Sequence, residues 1–173
     1  MAVRGGAKFD TAISALGAKL GSARKVKVGF LAGATYPDGT PVAMIAAVQN
    51  FGAPSRGIPP RPFFTNMIKE HGGEWGKDTA ELLDRTGGDA KETLTLMGEH
   101  IEGQLRQSIV DTNTPPDSPV TDLLKQRFPM GGQTFADVLQ ARADVKAGVT
   151  APVSKPLVQS GHLLGSVDSE VVT

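Results

Sequence analysis

Three histidines, His71, His100 and His162, are the first residues to weigh for chemistry. No two of them stand four apart, as a metal-binding pair on one helix face would. His71 has Glu74 three positions on but no second ligand pair, so no metal site is expected. Ser160, His162 and Asp168 are the residue types of a hydrolase triad, yet no Gly-x-Ser-x-Gly elbow surrounds Ser160, and a satisfied turn is the simpler expectation. The chain contains no cysteine, which removes disulfides, thiolate nucleophiles and cysteine-built zinc sites and fits a reducing compartment. Glycine is abundant, but neither GxxxxGK[ST] nor a strand-linked GxGxxG occurs, so these glycines read as caps and turns, and no cofactor is expected.

Charge singles out one stretch, which reads either as a solvated loop or as a contact surface. The 18 basic and 18 acidic residues cancel, which removes the global positive field that drives nucleic-acid or anionic-membrane binding. Locally the balance fails: from Gly39 to Lys69 there is no acid, while Arg56, Arg61 and Lys69 are present. Arg56 and Arg61 sit on a proline-rich segment, Gly52 to Phe64, which is expected to be stiff and extended, so that ordering it against a partner costs little entropy. Arg61 has no acidic partner nearby in sequence. It is expected to anchor the segment through a carboxylate or carbonyl from elsewhere, in its own subunit or in a neighbour, with Phe63 or Phe64 filling an apolar pocket.

The elements that position these residues follow from periodicity. Phe9, Ile13, Leu16 and Leu20 predict a short amphipathic helix ending at Gly21, behind a cap at Asp10 or Thr11. Lys25 to Leu31 alternates as a half-buried strand, and Pro37-Asp38-Gly39 is a turn. Thr40 and Pro41 read as N-cap and first position of a helix from Val42 to Phe51, closed by Gly52. Pro62 then starts a helix carrying Phe63, Phe64, Met67 and Ile68, which Gly72-Gly73 interrupts and Asp78 to Arg85 resumes.

Asp89 and Glu92 have capping-box spacing. Leu94, Met97, Ile101, Leu105 and Ile109 mark the longest helix, about six turns. Ser118-Pro119 opens a helix through Phe128, and Thr134 with Asp137 caps another whose apolar positions are Phe135, Val138, Leu139 and Val145. Ser160 to Gly165 makes one turn before a terminal strand at 167–172. Strands near both ends with helices between them predict an α+β fold, a small antiparallel sheet of the early and C-terminal strands packed by the long central helix. Residues 1–173 are expected to form one domain, with an inserted helical segment at 128–151. The N-terminal MAVRGGAKFD lacks an apolar signal core and no stretch approaches membrane-spanning length, so a soluble chain is expected.

The order of three segments carries a resemblance. VGFLAGATYPDG (Val28 to Gly39), VAMIAAVQNFGAP (Val42 to Pro54) and GIPPRPFF (Gly57 to Phe64), with PLVQSGHLLGS (Pro156 to Ser166) closing the chain, resemble the neck and tail-completion proteins of long-tailed bacteriophages, the group of minor tail protein Z-like and virion-morphogenesis proteins. The match is close through Ala47, Asn50, Phe51, Gly52, Ile58, Pro59, Arg61, Pro62 and Phe63. TPPDSPVTDLLK (Thr114 to Lys125) follows the group's Pro-rich link only loosely, and Phe128 to Ala151 is additional.

The resemblance implies a non-enzymatic virion protein, made in the host cytoplasm, that finishes the tail or sits at the head-tail joint as a homo-oligomeric, six-fold ring around the DNA channel. Its neighbours would be other neck, terminator or tube proteins, with DNA only as non-specific cargo. Near-zero charge suits DNA that must slide. The candidate contact residues are Arg56, Ile58, Arg61, Phe63 and Phe64 in the first segment and Leu157, His162 and Leu163 in the last. The alternatives are a tail terminator ring, an assembly factor absent from the particle, and a hydrolase using Ser160, His162 and Asp168.

Overall fold

The computed structural model describes residues 25–158 and 160–173, together with residues 11, 13–15, 17–19, 21 and 23. The elements run β1 (Lys25–Gly29), α1 (Val42–Phe51), α2 (Phe63–His71), α3 (Trp75–Arg85), α4 (Ala90–Asp111), α5 (Pro119–Arg127), α6 (Phe135–Lys146), α7 (His162–Gly165) and β2 (Asp168–Val172). Described residues between 11 and 19 are helical, and Ile13 is exposed. Phe9, Leu16 and Leu20 of the expected apolar stripe, and the candidate cap Asp10, lie outside the described residues.

The fold is α+β. β1 and β2 pair antiparallel, from Lys25 opposite Val172 to Gly29 opposite Asp168. Two strands alone are marginal in water, and here α4 lies across both. Gly98 permits the approach. A Cβ at this position would stand 2.7 Å from Ser169 Oγ and 3.0 Å from Val26 Cγ2, so any side chain would push the helix off the sheet.

Leu105, Ile109 and Met97 turn one face of α4 into the core, where they join Val42, Phe63 and Val167. Phe63 packs edge-on against Phe30, with ring centroids 6.2 Å apart. Fully burying a side chain such as Phe63 or Leu105 contributes about 1.5–3 kcal/mol. α2 and α3 also pack on α4, and Trp75 Nε1 donates to Gln104 Oε1 at 2.8 Å. That bond holds the start of α3 at Trp75, three residues before the expected Asp78, in a stretch whose apolar periodicity is too sparse to mark it.

Several local expectations change for identifiable reasons. The segment after Gly52 is not extended throughout. Pro54–Arg56 forms a 3₁₀ turn closed by Gly57 at φ 67°, and Ala53 and Ile58 exchange backbone hydrogen bonds of 2.8 and 3.1 Å. Pro54 fixes the first φ of that turn and Gly57 accepts its left-handed end, which outweighs the extending effect of the prolines that follow.

Pro41, not Thr40, is the N-cap of α1, because the Thr40 carbonyl accepts from the Tyr36 N–H at 2.8 Å in the preceding turn, while the Pro41 carbonyl accepts the first helical bonds from Met44 and Ile45. Pro62 is likewise the N-cap of α2, which starts at Phe63. Along α6 the buried residue is Ala141, with Val138 and Val145 half-buried, while Phe135 and Leu139 face outward. The caps at Ser118 and Thr134 form as expected, the latter as a full capping box with Asp137. Asp89 accepts from the Glu92 N–H, which is one half of such a box. Among the described residues no helix is long and apolar enough to cross a membrane.

Candidate functional site

Arg61 is the centre of the molecule's main polar constellation, and it is buried. α1 and the start of α2 set its position, since the Arg61 N–H donates to the Gln49 carbonyl at 2.7 Å just where the chain leaves the double proline. Its guanidinium donates through Nε to the Pro115 carbonyl at 2.9 Å and through Nη1 to Gln49 Oε1 at 3.0 Å. Nη2 reaches the Pro116 carbonyl at 3.2 Å and Asp117 Oδ1 at 2.9 Å. The planar fork therefore ties α1 to the 112–118 turn, which contains a cis Thr114–Pro115 peptide. Lys cannot reproduce that spread of acceptors.

A second layer extends from Asp117. Lys125 Nζ donates to Asp117 Oδ2 and, at 3.2 Å, to the Lys155 carbonyl. Ser154 donates its N–H to Asp122 Oδ1 at 2.9 Å. Its hydroxyl lies 2.6 Å from the same oxygen and 3.2 Å from Asp117 Oδ2, so the single proton goes to Asp122. Two cations, Arg61 and Lys125, thus balance two carboxylates, Asp117 and Asp122. Buried charge is tolerated only when paired and hydrogen-bonded in this way, and among the described residues no buried side-chain N or O lacks a partner.

Beside Arg61 opens a cleft of about 290 Å³ lined by Tyr36, Ile45, Gln49, Leu157, Ser160 and Leu163. The proline segment and the closing PLVQSGHLLGS segment therefore meet at one place. Leu157 has φ 66°, the one positive φ at a non-glycine position among the described residues, and it bends the chain into the cleft wall. His162 pins α7 to the loop after β1. Its Nε2 donates to the Thr35 carbonyl at 3.0 Å, which fixes the tautomer because a carbonyl only accepts, and its ring lies 4.5 Å from that of Tyr36. Partial burial, reinforced by the nearby Asp38 charge, raises the Tyr36 pKa above its ordinary value.

The residues weighed as a triad have other commitments. His162 Nε2 bonds the Thr35 carbonyl, the Ser160 hydroxyl accepts from the His162 N–H at 3.3 Å, and Asp168 Oδ1 accepts from the Ser169 N–H at 2.8 Å. His100 is exposed on α4, and among the described residues no group of three His, Asp or Glu could hold a metal ion.

The candidate contact residues divide. Arg61, Phe63 and Leu163 are buried in their own chain, and Arg61 takes the intrasubunit form of its expected anchoring, with Phe63 in the adjoining core. Ile58, Phe64, Leu157 and His162 are half-buried, and Arg56 is exposed.

Sequence reasoning missed Asp117, Asp122, Lys125 and Ser154, which lie 56 or more residues from Arg61 by sequence. It also gave no structural role to Asn50. That buried side chain receives the Phe64 and Thr65 N–H groups at 2.9 and 3.2 Å and so caps α2 from outside the helix. The one available signal was an uncharged helix carrying a lone Asn at a core-facing position. No protein-family model, curated protein or solved structure matches the chain.

Proposed function

We propose that this chain is a structural protein of a bacteriophage particle, completing the tail at its proximal end or joining it to the head as a homo-oligomeric ring around the DNA channel. The observation that carries the reading is the ordered pair of segments GIPPRPFF and PLVQSGHLLGS, which resemble those of neck and tail-completion proteins and converge on the cleft beside Arg61. Residues so far apart that close one cleft form a shared rigid unit, which is what an assembly component needs to present fixed surfaces to its neighbours. The balanced charge supports a channel wall that does not grip DNA. In this reading the protein performs no catalysis, DNA is cargo, and the segment from Phe128 to Ala151, which carries α6, is an addition to the family plan.

Deletion of the gene from the phage that encodes it is the test. The expected result is filled heads and free tails that do not join, with the protein present in purified wild-type particles at about six copies, the number that the resemblance to six-fold tails implies for a closed ring. Infectious particles that lack the protein would overturn the reading.

A further inference from the structure

The outer face of the sheet is divided by charge. Side chains alternate along a strand, so Val26 and Val28 of β1 and Ser169 and Val171 of β2 turn toward α4. The opposite face carries Lys25 and Lys27 on β1 and Asp168 and Glu170 on β2, all four exposed. The chain itself uses this division only in part. Lys27 Nζ meets Glu170 Oε2 at 3.4 Å, but the register sets Lys25 opposite Val172 and Asp168 opposite Gly29, and neither Lys25 nor Asp168 has an ion pair among the described residues.

Both strands also have an open edge. Among the described residues the sheet has two strands, and no backbone hydrogen bond joins the outer side of either to another segment. The Ser169 N–H turns instead to the neighbouring carboxylate, Asp168 Oδ1, at 2.8 Å. Phe64 stands against Gly29, 3.4 Å from the place of a Cβ, which leaves Lys25 to Val28 as the open length of β1.

A row of unpaired backbone groups is a template for another strand, and lysines on an edge ordinarily keep one away. Here they do so selectively. A second β1 would set Lys against Lys and a second β2 acid against acid, whereas the β2 of one copy and the β1 of another carry opposite charge on the same face.

We propose that β2 of one copy of this chain pairs antiparallel with β1 of the next, with Lys25 of that next copy opposite Glu170 and its Lys27 opposite Asp168. The register is shifted by two residues from the one inside the chain, so every side chain keeps its face and both acids gain a lysine. Copies repeated by rotation about an axis along the strands keep every β1 in one direction. β2 therefore reaches the next β1 antiparallel, and each α4 stays on the same side of the extended sheet. Closure of such contacts into a ring rests on the virion reading above; the strand pairing does not.

The chain has no cysteine, so each introduced thiol is unique. Full-length Lys25→Cys and Glu170→Cys proteins, both altered at exposed positions and checked for unchanged melting, are mixed at high concentration and low salt with a short bis-maleimide, and the products are identified by mass. The expected product is the mixed dimer, several-fold above that from Glu170→Cys with Arg142→Cys, whose site is exposed on α6. Adding Lys27→Glu to the Lys25→Cys protein sets like charge against Asp168 and should return the yield to the control. Mixed product no greater than the Arg142 control, a product dominated by homodimers of either variant, or a yield indifferent to Lys27→Glu overturns the pairing. The assay contains no phage particle, so its failure leaves the virion reading to the deletion test, and failure of that test leaves the strand pairing standing.

Discussion

The body around α4 and the α5–α6 pair are held by different physics. In the body, Leu105, Ile109, Phe63 and Val42 are sealed from water, and burial, which has no preferred direction, supplies the stability. The α5–α6 pair buries only Leu123 and Ala141 as apolar core residues, both outside the main cluster, and is tied to the body by the Arg61–Asp117–Lys125–Asp122–Ser154 network. An apolar core sets how firmly elements hold; a network of directed bonds sets where they point. The polar tether therefore fixes how the α5–α6 pair is oriented on the body.

The largest expected effect comes from breaking the tether. Arg61→Ala leaves Asp117 buried with half its partners and should cost about 3–5 kcal/mol. Leu105→Ala should cost a similar ~2–5 kcal/mol by opening a cavity. The two differ in where the loss falls, and hydrogen exchange separates them. Arg61→Ala should raise exchange first in 117–127 and 152–156, while Leu105→Ala lowers protection throughout α4 and the sheet. A uniform loss in both variants would erase the distinction between the two regions.

Gly98→Ala sharpens the comparison from the other side, because the added methyl strikes Ser169 and Val26. Denaturant melts should show a loss of about 1–3 kcal/mol, with α5–α6 exchange unchanged relative to the body.

Acid below the ordinary aspartate range gives the smallest effect. Hydrogen bonds from Thr134 lower the Asp137 pKa, and hydrogen bonds from Arg127 and Gln140 lower that of Asp144. A carboxylate whose folded pKa lies below its unfolded value contributes stability that is complete above the unfolded value and disappears as pH falls through the folded one. Protonation below the ordinary aspartate range should therefore fray α6 at Thr134 and release the Arg127–Asp144 pair. Asp38, lowered by its bonds from Thr40, loosens its turn with the same sign. Exchange measured through that range should show the start of α6 loosening before α4.

What the sequence disclosed follows the same division. Period and punctuation are local, so α4, both strands, and the caps at Ser118 and Thr134 were legible. The need of Arg61 for a distant partner was legible too, because no acid stands near it. Which carboxylate answers was not, since Asp117 is brought close only by the tertiary path of the 112–118 turn. The turn at Pro54–Arg56 was hidden by reading four prolines as uniformly extending, although the Pro-x-x-Gly spacing there already specified it. Phe135 and Leu139 satisfied a helical period yet face water, because periodicity shows a stripe and not what covers it.

The pairing of β1 with β2 also orders events during synthesis. Lys27 and Glu170, neighbours across the sheet, are separated by 143 residues. β1 leaves the ribosome long before β2 and has no partner until the chain through Val172 has followed it. Until then the Gly98 face of α4 has no completed sheet to meet, and closing so long a loop must precede the contacts that reward it. Between the emergence of β1 and that of β2 the nascent chain therefore carries an unpaired strand, and once α4 has followed it an open helix face as well, the condition in which chains at high local density associate wrongly.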